Sequence, residues 1–142
     1  FVAYRGDALV GVAGVVARGS QFLDFRLSTL REHYCLPRAI FYYLLLGGQG
    51  ALAEGEVKIE SLAVAQGMRG RGVGTRLLAA VEQFAARNGY TALSLDVVDT
   101  NTRAMNLYRK LGFKIVRTTR YGLLTRRAGF TASHYMRKWI AR

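Results

Sequence analysis

The chain has 142 residues, 51% of them hydrophobic, with one proline, one cysteine and a formal net charge of +12. That length holds one domain with a buried core rather than two, and the composition excludes an intrinsically disordered chain. Cys35 stands alone, which excludes an internal disulfide and a multi-cysteine metal site and sets a cytoplasmic protein as the expectation.

The charge is uneven along the chain. Through Asp99 there are ten Lys/Arg against nine Asp/Glu, whereas Thr100 to Arg142 holds eleven Lys/Arg and no carboxylate. Such a half suits polyanions, whether coenzyme phosphates, acidic substrates or RNA, and equally suits a soluble arginine-rich surface. The longest apolar run, Ala39 to Leu46, falls far short of the ~20 residues of a membrane helix. No secretory signal is legible, although the chain begins at Phe1 rather than Met.

In chain order, Phe1 to Tyr4 and Leu9 to Val16 read as two strands, and the Gly6-Asp7 step between them as a hairpin turn. The same turn chemistry accounts for Arg5-Gly6-Asp7, a triplet that also serves as an adhesion motif on extracellular proteins. Phe22 to Cys35 suits one or two helical turns, Ala39 to Leu46 a buried strand or short helix, and Gly47-Gly48-Gln49-Gly50 breaks the chain. Core packing, a substrate pocket wall and a dimer contact all remain open for this aromatic stretch. Val57 to Val64 is a predicted strand, and Leu77, Leu78, Val81, Phe84 and Ala85 recur at helical spacing until Asn88-Gly89.

Thr91 to Val97 alternates, with Leu93, Leu95 and Val97 on one face and Ser94, Asp96 and Val98 on the other. Asp99-Thr100-Asn101 offers cap chemistry for a helix from about Thr102 to Leu111, with Ala104, Leu107 and Leu111 on its buried stripe and Gly112 at its end. Phe113 to Arg120 and His134 to Ile140 are two further predicted strands, joined by a long segment through Gly129. There are no repeats and no linker.

The stretch Gln66 to Thr75 stands between a strand and a helix and holds four glycines and two arginines. The first N–H groups of a helix lack internal partners and the helix dipole favours negative charge there, so strand, glycine loop and helix start together predict an anion site. A P-loop is excluded because Thr75-Arg76 follows Gly74, and a dinucleotide fingerprint fails because its third glycine position falls on Thr75.

What fits is Arg-x-x-Gly-x-Gly at Arg69, Gly72 and Gly74, which resembles the pyrophosphate loop of the GNAT superfamily of acetyl-CoA-dependent acyltransferases. Two further motifs resemble that superfamily in the same order: Val57-x-Ile59-Glu60-x-Leu62-x-Val64, and Asn101-x-x-Ala104-x-x-Leu107-Tyr108-x-x-x-Gly112-Phe113. The resemblance implies an α/β (α+β) fold, a mixed, mostly antiparallel central sheet flanked by helices on both sides. It implies a single acetyltransferase domain over 1–142. The family's opening strand and helices are missing before the hairpin, and an unusual insert lies at about 19–55.

Residue by residue, the resemblance implies that main-chain groups of Leu62, Ala63 and Val64 pair with the pantetheine arm of acetyl-CoA. Arg69, Gly70, Arg71, Gly72, Val73, Gly74 and Thr75 would hold its pyrophosphate, and Asn101 would contact it near the sulfur. Tyr108 would protonate the departing thiolate, being protonated at neutral pH with an ordinary value near ~10. The base that neutralises the acceptor amine is expected to be Glu60 first, Asp96 second and Glu56 third. Cys35 is a poor nucleophile candidate without a His-bearing motif beside it, and His33 and His134 are too isolated for a metal site.

The expected activity is N-acetyl transfer from acetyl-CoA to an amine of a small molecule or a protein, with no metal, no membrane and no nucleic acid. A non-catalytic acyl-CoA sensor and an RNA- or ribosome-associated protein using residues 100–142 are the alternatives. The exposed side of the Phe1 to Tyr4 strand predicts cover by a preceding segment or by a second copy, and the homodimer is favoured, with residues 19–55 contributing.

Overall fold

The computed structural model describes residues 1–17, 53–121 and 129–140. They form β1 (Val2–Arg5), β2 (Ala8–Ala17), β3 (Glu56–Val64), α1 (Val73–Arg87), β4 (Ala92–Val98), α2 (Thr102–Lys110), β5 (Lys114–Arg120) and β6 (Ala132–Trp139). The expectations placed on Cys35, His33, Ala39 to Leu46 and the insert up to residue 52 fall on 18–52, outside the described residues.

All six strands join one sheet in the order β1-β2-β3-β4-β6-β5. Every neighbouring pair is antiparallel except β3 and β4, which run parallel and are connected through α1. The predicted hairpin forms between β1 and β2, with Gly6 at φ 58° taking the left-handed turn position. α2 is capped as its sequence foretells: the Asn101 side chain accepts from the Ala104 N–H at 3.2 Å, and Gly112 takes φ 89° just past the helix.

The alternation in β4 decides the layers. Leu93, Leu95 and Val97 bury themselves with Val57, Ile59 and Met136 beneath Leu77, Leu78, Val81 and Ala85 of α1 and Met105 and Tyr108 of α2. Each of these Val, Leu, Ile and Met side chains contributes about 1.5–3 kcal/mol on leaving water. Both helices feed this one cluster, so among the described residues they cover the same face of the sheet. The other face presents the alternate residues Glu56, Lys58, Ser94, Asp96, Tyr135 and Arg137.

Two details depart from the periodic reading. Phe84 is 38% exposed rather than part of the buried stripe; its ring lies at the β1 edge, 5.6 Å from Phe1 and 6.4 Å from Tyr90. On α2 the deepest residues are Met105 and Tyr108, with Ala104, Leu107 and Leu111 at the margin of the core. The apolar stripe is wider than the three positions chosen from spacing.

The feature that shapes the site is where β3 and β4 stop pairing. Their register runs from Glu56↔Ala92 to Ile59↔Leu95, yet β3 continues to Val64 and β4 to Val98. Beyond Ile59 the two strands part. Opposite β2, Ser61 faces Gly14 while Ile59 faces Val15, which leaves Glu60 as the extra residue of a β-bulge at this parting.

Candidate active site

β3 leads straight into the glycine loop. Ala65 N–H is held by the Val10 carbonyl at 2.9 Å, a 3₁₀ turn spans Gln66–Met68, and the Arg69 side chain donates through Nε to the Val64 carbonyl at 3.2 Å. Gly70 and Gly72 both sit at positive φ, 78° and 76°, which only glycine adopts without strain. Gly72 caps α1 with no side-chain acceptor, and the helix has no acidic residue in its first turn. The first helical bond runs from Arg76 N–H to the Gly72 carbonyl at 3.0 Å, so the N–H groups of Val73, Gly74 and Thr75 precede the ladder. The loop therefore offers donors and positive charge to an anion.

Two cations converge here that the sequence reading did not single out. A Cβ on Gly70 would lie 3.6 Å from Arg103 Nη2, and one on Gly72 would lie 3.8 Å from Arg76 Nη1. With Arg69 and Arg71 this brings four guanidinium groups to one loop. Arg76 was legible as the residue one turn beyond Gly72, but Arg103 arrives on another helix. Gly74 marks where α1 approaches β3 and α2, since its Cβ would touch Leu107 at 3.5 Å, Val64 at 3.8 Å and Leu62 at 3.9 Å.

Leu62, Ala63 and Val64 pair with Ala13, Val12 and Gly11 on one side. Their other edge has no strand partner among the described residues, which leaves backbone groups available to an extended ligand. Tyr108 approaches from the helical face. It is 8% exposed, its ring is 5.8 Å from that of Phe113, and among the described residues its hydroxyl has no hydrogen-bond partner. Burial pushes its phenol above the usual 10.0. Asn101, at the start of the helix whose last turn carries Tyr108, spends its side-chain oxygen on the cap. Asp99, grouped with the cap residues from sequence, instead accepts from Thr131 through Oγ1 at 2.7 Å, which holds its carboxyl below the usual range.

The three candidate bases occupy the polar face in different states. Glu60 is exposed in the bulge and has no ion pair among the described residues. Asp96 is bridged to Lys58 Nζ at 3.1 Å. Glu56 is 1% exposed, lies 3.1 Å from Arg137 Nη2 and accepts from the Tyr135 hydroxyl. Oε1 accepts from Tyr135 while Oε2 faces Arg137 without a hydrogen bond, so Glu56 is the most enclosed of the three. Among the described residues no group of three His, Cys, Asp or Glu could hold a metal ion, and no helix is long and apolar enough to cross a membrane.

Residues 1–113 match the model of the acetyltransferase (GNAT) family. A probable N-acetyltransferase camello of Xenopus tropicalis is 31% identical over 84 residues, 58% of this chain and 38% of that protein. The chain thus spans little more than a third of that relative's length. A solved GCN5-related N-acetyltransferase from Kribbella flavida is 30% identical over 64% of this chain and 54% of its own, with a TM-score of 0.55. A Bacillus subtilis acetyltransferase solved in complex with CoA covers 99% of this chain and 75% of its own at a TM-score of 0.65; at 15% identity it shows the fold alone. By its family match, its sheet order and its glycine loop, the chain belongs to the GNAT family of acetyltransferases.

Proposed function

We propose that this domain transfers the acetyl group of acetyl-CoA to an amine by direct attack on the thioester. The observation that carries the reading is the continuity of three features: the unpaired edge of Leu62 to Val64, the parting of β3 and β4, and the donor-rich loop from Arg69 to Thr75. The loop suits a pyrophosphate, and the edge suits a pantetheine arm lying as an added strand. Asn101 and Tyr108 then stand on the helical side of the thioester, and Glu60 and Asp96 on the other.

Acid and base therefore approach the reacting carbon from opposite faces. Glu60 accepts a proton from the acceptor ammonium, which frees the nitrogen lone pair. The nitrogen bonds to the thioester carbon, the C–S bond breaks, the thiolate takes its proton from Tyr108, and the new amide nitrogen gives its surplus proton to solvent, with which Tyr108 and Glu60 exchange to regain their starting states. Burial suits Tyr108 to that role by keeping the phenol neutral. The acceptor is an amine of a small molecule or of a protein. A homodimer is part of the proposal, because Val2 and Tyr4 on the β1 edge are 60% and 61% exposed; a monomer by light scattering at high micromolar concentration would remove it.

The test is thiol release across a panel of amine acceptors, run beside calorimetric titration with CoA. Turnover with any amine supports transfer. Tight CoA binding without turnover across the panel replaces it with the acyl-CoA sensor reading, and salt-steep RNA binding without CoA binding replaces both.

A further inference from the structure

The polar face of the sheet holds more charge than its internal pairs use. Glu56 is matched by Arg137, and Asp96 by Lys58. Left over are one carboxylate, Glu60 in the bulge where β3 and β4 part, and two cations on β5, Lys114 and Arg117. Among the described residues none of these three has an ion pair.

Arg117 is nonetheless held in place. Its guanidinium lies 5.5 Å from the centre of the Tyr135 ring. That ring is itself fixed by the hydroxyl it donates to buried Glu56. The guanidinium thus leans toward β6 while Arg117 stays exposed, and a contact with a ring face leaves its N–H donors free. Tyr135 faces Asp96 on β4, and Arg117 faces Tyr135 on β5. A single row, Asp96, Tyr135, Arg117, crosses the face beside the parting, at about 4.8 Å per strand. The face is bipolar, with carboxylates where the amine would enter and an ordered guanidinium one to two strands away.

We propose that Arg117 determines acceptor specificity by binding a carboxylate that the acceptor carries roughly 5–10 Å from its reacting amine. The inference rests on the acetyl-transfer reading and adds the acceptor's class to it: an amine bearing an acid, from a free ω-amino acid or from a short acidic peptide. A planar guanidinium suits a carboxylate because it can donate two parallel hydrogen bonds.

The test is a matched acceptor series. γ-Aminobutyrate, 5-aminovalerate and ε-aminocaproate are compared with butylamine, pentylamine and hexylamine. The peptide Gly-Gly-Asp amide is compared with Gly-Gly-Asn amide. The acid-bearing members are expected to show the higher kcat/KM, and the better of the two arms tells free acid from peptide. In Arg117→Gln, KM for the acid-bearing acceptors rises about ten-fold or more with kcat little changed, while the neutral amines are unaffected. Arg117→Lys recovers part of the loss because it keeps the charge without the fork. Arg120→Gln, on the opposite face of the same strand by alternation, leaves the preference unchanged and controls for overall charge. Equal kcat/KM within both pairs, or a preference that survives Arg117→Gln, overturns the proposal and leaves acetyl transfer standing. No turnover with any amine while CoA still binds overturns acetyl transfer and this inference together.

Discussion

Glu56 and Arg137 belong to strands separated by β4, yet their charged groups meet 3.1 Å apart over its buried Ser94. Glu56 is wholly enclosed; the Tyr135 hydroxyl donates to its Oε1, while Oε2 faces Arg137 without a hydrogen bond. The pair ties β3 to β6 on the face that no described helix covers. Removing one member of a buried pair strands the other charge, so Arg137→Met is expected to destabilise the fold by roughly 3 kcal/mol. Chemical denaturation measures this directly. A loss below about 1 kcal/mol, the size typical of a surface ion pair, would mean that the pair is not structural.

Gly72→Glu is expected to weaken CoA binding by at least about a hundred-fold, because a carboxylate would enter the anion position of the loop. Gly72→Ala separates strain from charge. At φ 76° any side chain costs about 1–2 kcal/mol of backbone strain, but a Cβ there meets only the far end of Arg76. Calorimetric titration should therefore rank glycine above alanine and alanine far above glutamate. Unchanged affinity in a folded Gly72→Glu protein would move the pyrophosphate elsewhere.

Tyr108→Phe is expected to slow the chemical step by roughly 10²-fold while CoA affinity stays nearly intact, because the ring against Phe113 remains and only the proton donor is lost. The pH dependence has a definite sign. Burial raises the folded-state value above 10.0, so the phenol is protonated throughout the neutral range. Its stabilising contribution is complete below the unfolded value and is lost only as pH rises through the folded one. The wild-type rate should fall on the alkaline side above pH 10, and that limb should vanish in Tyr108→Phe. A limb that persists in the variant would assign it to another group.

Much of this was legible because it is local. The alternation of Leu93, Leu95 and Val97, the cap at Asn101 and the helix end at Gly112 all depend on neighbours a few residues away. What the sequence concealed depends on strand order. Nothing in the chain from Lys114 to Trp139 shows that β6 inserts between β4 and β5, and only that insertion brings Arg137 to Glu56 and Arg117 to Tyr135. The bulge at Glu60 is hidden for the same reason: an extra residue exists only relative to a partner strand.

The bulge separates the two remaining base candidates. Glu60 is exposed and unpaired among the described residues, so Glu60→Gln should leave stability unchanged and lower the rate most at low pH. Without a base, turnover depends on the small fraction of acceptor already neutral, and that fraction grows as pH rises toward the ordinary amine value near ~10. Asp96→Asn acts differently, because it removes one ion pair of the largely buried Lys58. That change should cost on the order of 1 kcal/mol of stability whatever it does to rate. Paired denaturation and pH–rate profiles on both variants decide the assignment. If Asp96→Asn reproduces the low-pH rate loss and Glu60→Gln does not, the base is Asp96, and its bridge to Lys58 must open before the amine can be deprotonated.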